Sequence, residues 1–327
     1  MSRQAAAPSA SPEVVTLGET MVLLMAEQSG PLREATSFRR LVGGAESNVA
    51  AGLCRLGHAA GWISRVGNDD FGRVILHRLR GEGVDLAHAV VDAEAPTGVM
   101  IRERRELGAI EVLYYRRGSA ASRLGAADVP ERYVAGAQHL YLTGITPALS
   151  ASCRQASFHA AEVARGAGVP VVFDPNMRRK LWSDGEARPV MRDLAAQSDV
   201  VLPGVAEAEL ITGEPDPLLA AQALLALGPR LVVLKLGEQG ALAVGAGGEV
   251  VQVPAAPLQR VVDPVGAGDA FAAGFLAATL DGEALAEALD LAARCAAHVM
   301  SAHGDMENLP YRHELEATRS DPRDVRR

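Results

Sequence analysis

Cysteine is scarce: Cys54, Cys153 and Cys295 are the only three in 327 residues, far apart and in helix-like surroundings. This excludes a disulfide framework and a CxxC metal site, and reads as small core residues in a reducing compartment. Positive charge is also short. With 32 Lys and Arg against 40 Asp and Glu, the net charge is -8, the opposite of a chain that coats nucleic acid by displacing phosphate counterions. No apolar run approaches a bilayer span, and the opening MSRQAAAPSASPE has no signal-peptide core. The expectation is a cytoplasmic protein with neither nucleic-acid nor membrane partners. There is no G-x-x-x-x-G-K-[ST] phosphate loop and no repeat of fixed period.

What is present is a globular composition, 48 % hydrophobic and 22 % charged, enough to bury a sizeable core. Short apolar runs alternate with amphipathic stretches, as in a mostly parallel sheet with crossover helices. The spacing predicts strands at Val14–Gly18, Ala60–Val66, His139–Thr143, Pro170–Asp174, Val200–Pro203 and Leu231–Leu236. It predicts helices at Ser47–Leu56, Phe71–Arg80, Ser152–Arg165 and Leu218–Leu227. Gly98–Tyr115 breaks the rhythm as a hairpin around the charged Arg104–Gly108. With Met21–Leu41 it forms a small β lid, and an uncovered lid face suggests pairing with a second copy. The expected layout is a leader over 1–12, a domain over 13–315 with lid segments near 19–42 and 96–118, and a charged tail over 316–327.

The stretch from Val261 to Phe275 places Gly266 and Gly268 before an acid that opens an Ala-rich helix. Glycines there let successive N–H groups point at one spot, where the helix dipole also favours negative charge. Asp269 in such an anion hole makes sense if a substrate hydroxyl must lose its proton there. Taken alone, the quartet is equally a loop and a helix start, with Asp269 serving the dipole at about 0.3–1 kcal/mol.

The following residues change that balance. Asp263-Pro-Val-Gly-Ala-Gly-Asp-Ala-Phe271 resembles the C-terminal signature of ribokinase-like (PfkB) carbohydrate kinases, D-[TP]-x-G-A-G-D-x-F. Val42–Gly57 resembles that family's G-G-x-x-x-N-x-A-x-x-x-x-x-L-G, and Gly67-Asn-Asp-Asp-Phe-Gly72 its G-x-D-x-x-G. The resemblance spans roughly residues 14 to 312 and implies an α/β fold, a three-layer α/β/α sandwich with a mostly parallel sheet and a β lid. It implies that Gly266, Ala267, Gly268 and Asp269 cradle the transferring phosphate, with Asp269 as base. Leu236, Gly237, Glu238, Gln239, Gly240 and Ala241 look like the family's L-G-x-x-G loop against ATP, and read alone are a strand-to-strand turn. The family's N-x-x-E motif, which steadies Mg2+ through its water, is present only as Gly204 and Glu207. The resemblance leaves room for a monovalent cation beside the anion hole.

Two basic clusters follow predicted strands, Tyr114–Leu124 and Asp174–Trp182. An Arg fork fits a carboxylate, and in an acidic chain it draws in an anion. Read alone, such pairs are usually solvated surface charge. Both clusters resemble those of 2-keto-3-deoxygluconate kinases, as do Gly43–Asn48 and Gly304–Pro310. That likeness implies a sugar acid lined by Gly44, Ala45, Glu46, Ser47, Asn48, Met100, Tyr114 and Arg116. It gives Arg178 the carboxylate or keto end, Asp305 the hydroxyls, and Asn176 and Arg178 shared contact with ATP. The expected activity is phosphorylation of 2-keto-3-deoxygluconate. The alternatives are a fructokinase or other neutral-sugar kinase, and a non-catalytic sensor on the same fold.

Overall fold

A computed structural model describes residues 12–104 and 111–317. The expected leader up to residue 11, the tail from residue 318 and residues 105–110 of the lid turn lie outside the described residues. In chain order the strands are β1 (Val14–Leu17), β2 (Met21–Ser29), β3 (Phe38–Gly43), β4 (Ala60–Gly67), β5 (Ala89–Asp92), β6 (Val99–Arg104) and β7 (Val112–Tyr115). Then come β8 (His139–Thr143), β9 (Val171–Asp174), β10 (Val200–Val201), β11 (Leu231–Lys235), β12 (Ala241–Gly245) and β13 (Val250–Val253).

The main sheet has nine strands in the order β13-β12-β11-β10-β9-β8-β1-β4-β5. It is parallel from β11 to β5 and antiparallel at β11-β12-β13. Runs such as Val14–Leu17 and Val171–Asp174 are buried throughout, as strands covered on both faces must be. Alternate residues serve opposite sides. Val14, Trp62 and Tyr141 pack with the helices Ala45–Arg55, Ala267–Leu280 and Leu285–Met300. Val15, Ile63 and Leu140 pack with Ala151–Gly166 and Asp184–Ala196. The result is the expected α/β/α sandwich.

The second sheet, β3-β2-β6-β7, is the lid. Its β6–β7 hairpin is the one read from Gly98–Tyr115, but β2 pairs with β6 in parallel, so the sheet is mixed. Leu23, Met25 and Leu41 line one face, with Met100 packed against them. The six predicted main-sheet strands and four predicted helices form with ends shifted by up to about two residues. β5, β12 and β13 were not predicted: β5 and β13 are four-residue edge strands with exposed residues, and β12 is a mostly buried run of five residues inside the sheet, too short to show a period.

Candidate active site

The carboxyl ends of the parallel strands deliver the polar floor of a crevice: Thr143 ends β8, Asp174 ends β9 and Lys235 ends β11. Lys235 Nζ donates to both oxygens of Asp174, at 2.9 and 2.8 Å. Burial pushes Asp174 up to about 6, with the Lys235 charge pulling the other way. Beyond β9 the chain turns at Asn176, whose φ of 38° lies in the left-handed region that asparagine tolerates better than most side chains. Its N–H donates to Asp174 Oδ1 at 3.1 Å and its Nδ2 to Asp269 Oδ1 at 3.4 Å.

Asp269 sits in the first turn of helix Ala267–Leu280, opened by Gly266 at φ 82°. Glycine is required there twice over, because a Cβ would also strike Asp305 Oδ1. From the opposite helix Asn48 donates through Nδ2 to Asp269 Oδ2 at 2.8 Å and Asp305 Oδ1 at 2.9 Å. Burial raises Asp269 above the usual carboxylate range, against the Asn48 bond and the positive charges of Arg178 and Lys235. Burial and the neighbouring Asp269 raise Asp305 as well. A raised, hydrogen-bonded carboxylate at a helix start is a stronger proton acceptor than a free one.

Gly44 caps helix Ala45–Arg55, and a Cβ on it would strike the Glu19 carbonyl, so the β1–β2 turn can close onto the sugar side only over glycine. Met100 on the lid reaches to 2.9 Å from where a Cβ on Gly43 would stand, a spot shared with Asp305 Oδ2 at 2.5 Å. Arg178 is exposed but close enough to lower Asp269. Tyr114 is half-exposed, its ring beneath the cations of Arg116 and Lys180 at 5.7 Å each. Thus Asn48, Asn176, Asp269, Asp305, Gly266 and the Arg178 charge converge, while Tyr114 stands on the lid above.

Four expected contacts need correction. Glu46 is fully buried, its Oε1 accepting from Thr143 Oγ1 at 2.6 Å and Thr146 Oγ1 at 2.8 Å. Burial pushes it up to about 7. Ser47 is also buried and donates to the Gly44 carbonyl at 3.0 Å. Ser47 and one oxygen of Glu46 are thus engaged inside the fold. Arg116 is 9 % exposed, donating through Nε to Glu19 Oε2 at 2.7 Å, with Ser119 Oγ on the other oxygen at 2.5 Å. Its guanidinium supports the β1–β2 turn. Ala241 is fully buried in β12. Leu236–Gly240 is indeed a strand-to-strand turn, with Gly237, Glu238 and Gln239 exposed.

Glu207 fastens two loops, accepting from Met177 N–H at 2.7 Å and Gly204 N–H at 2.7 Å. Lys235, Asp174 and Glu19 were missed as site-building residues. Each ends or follows an apolar strand, the one signal that could have marked them. Lys235 joins the two nucleotide-side loops: it precedes Leu236, and its Nζ lies 3.8 Å from where a Cβ on Gly268 would stand.

A glycine-opened helix start, a buried acid behind it and a lid above are the parts of a phosphotransfer site. Residues 11–312 match the model of the pfkB family carbohydrate kinases. The chain belongs to that family. Over 316 residues it is 42 % identical to the 2-dehydro-3-deoxygluconokinase of Bacillus subtilis (strain 168), covering 96 % of this chain and 97 % of that one. It is 38 % identical over 307 residues to the 2-dehydro-3-deoxygluconokinase of Thermoproteus tenax, with 93 % of each covered. A crystal structure of a putative ribokinase II from E. coli in complex with ATP and Mg2+ superposes with a TM-score of 0.87 at 29 % identity, covering 93 % of this chain and 98 % of that one. Among the described residues of this carbohydrate kinase, no helix is long and apolar enough to cross a membrane.

Proposed function

We propose that this kinase transfers the γ-phosphoryl group of MgATP to the 6-hydroxyl of 2-keto-3-deoxygluconate (2-dehydro-3-deoxygluconate), giving the 6-phosphate and ADP. The observation that carries the reaction is Asp269: a buried carboxylate behind Gly266, Ala267 and Gly268, held by Asn48 and Asn176 and facing the Arg178 charge. Asp269 takes the hydroxyl proton as the oxygen forms its bond to phosphorus and the bond to ADP breaks. Phosphoryl transfer asks for alignment and neutralised oxygens more than covalent help. The N–H groups at the helix start, Lys235 and Arg178 supply positive potential on that side.

The acid substrate is supported by the names of the two relatives and by Arg178, a fork with no carboxylate fully claiming it among the described residues. Asp305, beside Asn48 and under Met100, is placed to accept from sugar hydroxyls. Glu207 fits a magnesium ion carried on nucleotide phosphates: each of its oxygens accepts one backbone N–H, leaving lone pairs for water protons. Bound there, magnesium would offset charge on the phosphate oxygens. The exposed Phe38, Leu113 and Tyr115 of the lid support its pairing with a second copy.

The test is ADP release with 2-keto-3-deoxygluconate, its galactonate-derived isomer, fructose and ribose, in potassium and in sodium salts. The gluconate-derived acid should exceed the neutral sugars in kcat/KM by at least about tenfold. Equal use of fructose would overturn the sugar-acid reading, and sugar binding without turnover would favour a sensor. A rate difference between the two salts would reveal a monovalent cation requirement.

A further inference from the structure

The lid and the phosphate loop are joined by a buried ion pair that the reaction itself does not require. Arg102 on β6 and Asp263 at the head of the loop are 161 positions apart, and their side chains are 4 % and 1 % exposed. Arg102 Nη2 donates to Asp263 Oδ2, and Nη1 lies 3.5 Å from Oδ1. The same Nη2 lies 3.1 Å from Met25 Sδ on β2. Asp263 Oδ1 also accepts the Val265 N–H at 3.2 Å, and the Val262 N–H donates to the Met300 carbonyl at 2.8 Å, so the carboxylate organises the start of the loop that carries Gly266 to Asp269.

Two features set this pair apart from an ordinary structural bridge. A buried ion pair gives little net stability over apolar side chains of similar volume, because both ions must be desolvated. Its position is also specific. Side chains two residues apart on a strand share a face, so Met100 and Arg102 project together from β6. Met100 reaches the spot shared by Gly43 and Asp305 on the sugar side, and Arg102 reaches the phosphate loop. One short strand therefore touches both ends of the crevice.

We propose that Arg102 is a positioning residue that couples sugar binding to the phosphate loop. This rests on the kinase reading above. A sugar seated at Asp305 steadies β6 through Met100, the Arg102–Asp263 pair carries that restraint to the loop, and the turn at Gly266 is held in place for the nucleotide phosphates. Sugar and nucleotide accordingly bind with positive cooperativity that depends on Arg102.

Calorimetric titration of a non-hydrolysable ATP analogue with Mg2+, with and without saturating sugar, tests this. The sugar is whichever gives the highest kcat/KM in the panel above, so an error about the substrate leaves this test standing. In the wild type the sugar should tighten the analogue by about tenfold. In Arg102→Met the enhancement should fall below about twofold, while each ligand alone binds within about threefold of wild type. A residue of purely structural value would weaken both ligands or the melting temperature and leave the enhancement. Asp263→Asn should reproduce the loss and carries the test if Arg102→Met does not fold, and Arg102→Lys should recover only part, because the fork is lost. Undiminished enhancement in Arg102→Met and Asp263→Asn, or none in the wild type, would overturn the proposal.

Discussion

The two ends of the crevice are built differently. At the phosphate end Asp174 and Asp269 are buried, and each is held by named donors, Asp174 by Lys235 and Asp269 by Asn176 and Asn48. At the sugar end Arg178 is exposed and Tyr114 is 37 % exposed, lying on a lid that packs through a small cluster of its own. Groups that must meet developing charge are fixed in advance, where they lose nothing to reorganisation. On the sugar side Asp305 is held in the same way by Asn48, while Arg178 and Tyr114 stand out toward solvent.

If the phosphate end is preorganised for proton removal, Asp269→Asn should show the largest effect. Turnover should fall by about two to four powers of ten while sugar affinity changes little. Steady-state kinetics together with sugar titration separate the two quantities. Unchanged turnover would remove Asp269 from the chemistry and leave it a dipole partner.

The sugar end should respond selectively. Arg178→Ala should lower kcat/KM for the sugar acid by about 30- to 1000-fold and hurt neutral sugars much less at pH 8. Arg178 also depresses Asp269, so its removal should move the acid limb of the pH profile upward for every sugar. Equal loss at pH 8 for acid and neutral sugars would count against carboxylate recognition and make Arg178 an electrostatic aid to the base alone.

The same contrast governs what could be read without coordinates. The glycine-opened helix start was legible because its demands are local: a positive φ at Gly266, a helix start, and an acid in its first turn all lie within four residues. The sandwich was legible because period and burial mark strands and helices, though short edge strands lack that signal. Partners that meet across the fold were not. Nothing near Glu46 announces Thr143 and Thr146, nothing near Arg116 announces Glu19, and Arg102 finds Asp263 across the lid. A polar residue next to a motif was therefore assigned to the ligand when its partner lay in the core. Glu46 and Arg116 have such partners, whereas Ser47 bonds the Gly44 carbonyl three residues back.

Glu46 tests whether the rigid floor under Asp269 costs stability. Its carboxyl titrates at about 7 when folded against 4.5 for the free side chain, with burial as the main cause. Between those values the folded state keeps a proton that the unfolded chain releases, so stability is full below about 4.5, falls as pH rises, and levels off above about 7. Asp174, raised from 3.8 to about 6, adds a loss of the same sign over a lower window. Glu46→Gln cannot ionise, and its carbonyl can still accept from Thr143 and Thr146. Its melting temperature should lie near or slightly below wild type at pH 5 and exceed it by about 2 to 6 °C at pH 8. Parallel melting curves at the two pH values would mean that Glu46 carries no such penalty. A crossing would show that the buried floor beside Asp269 is held at the expense of stability.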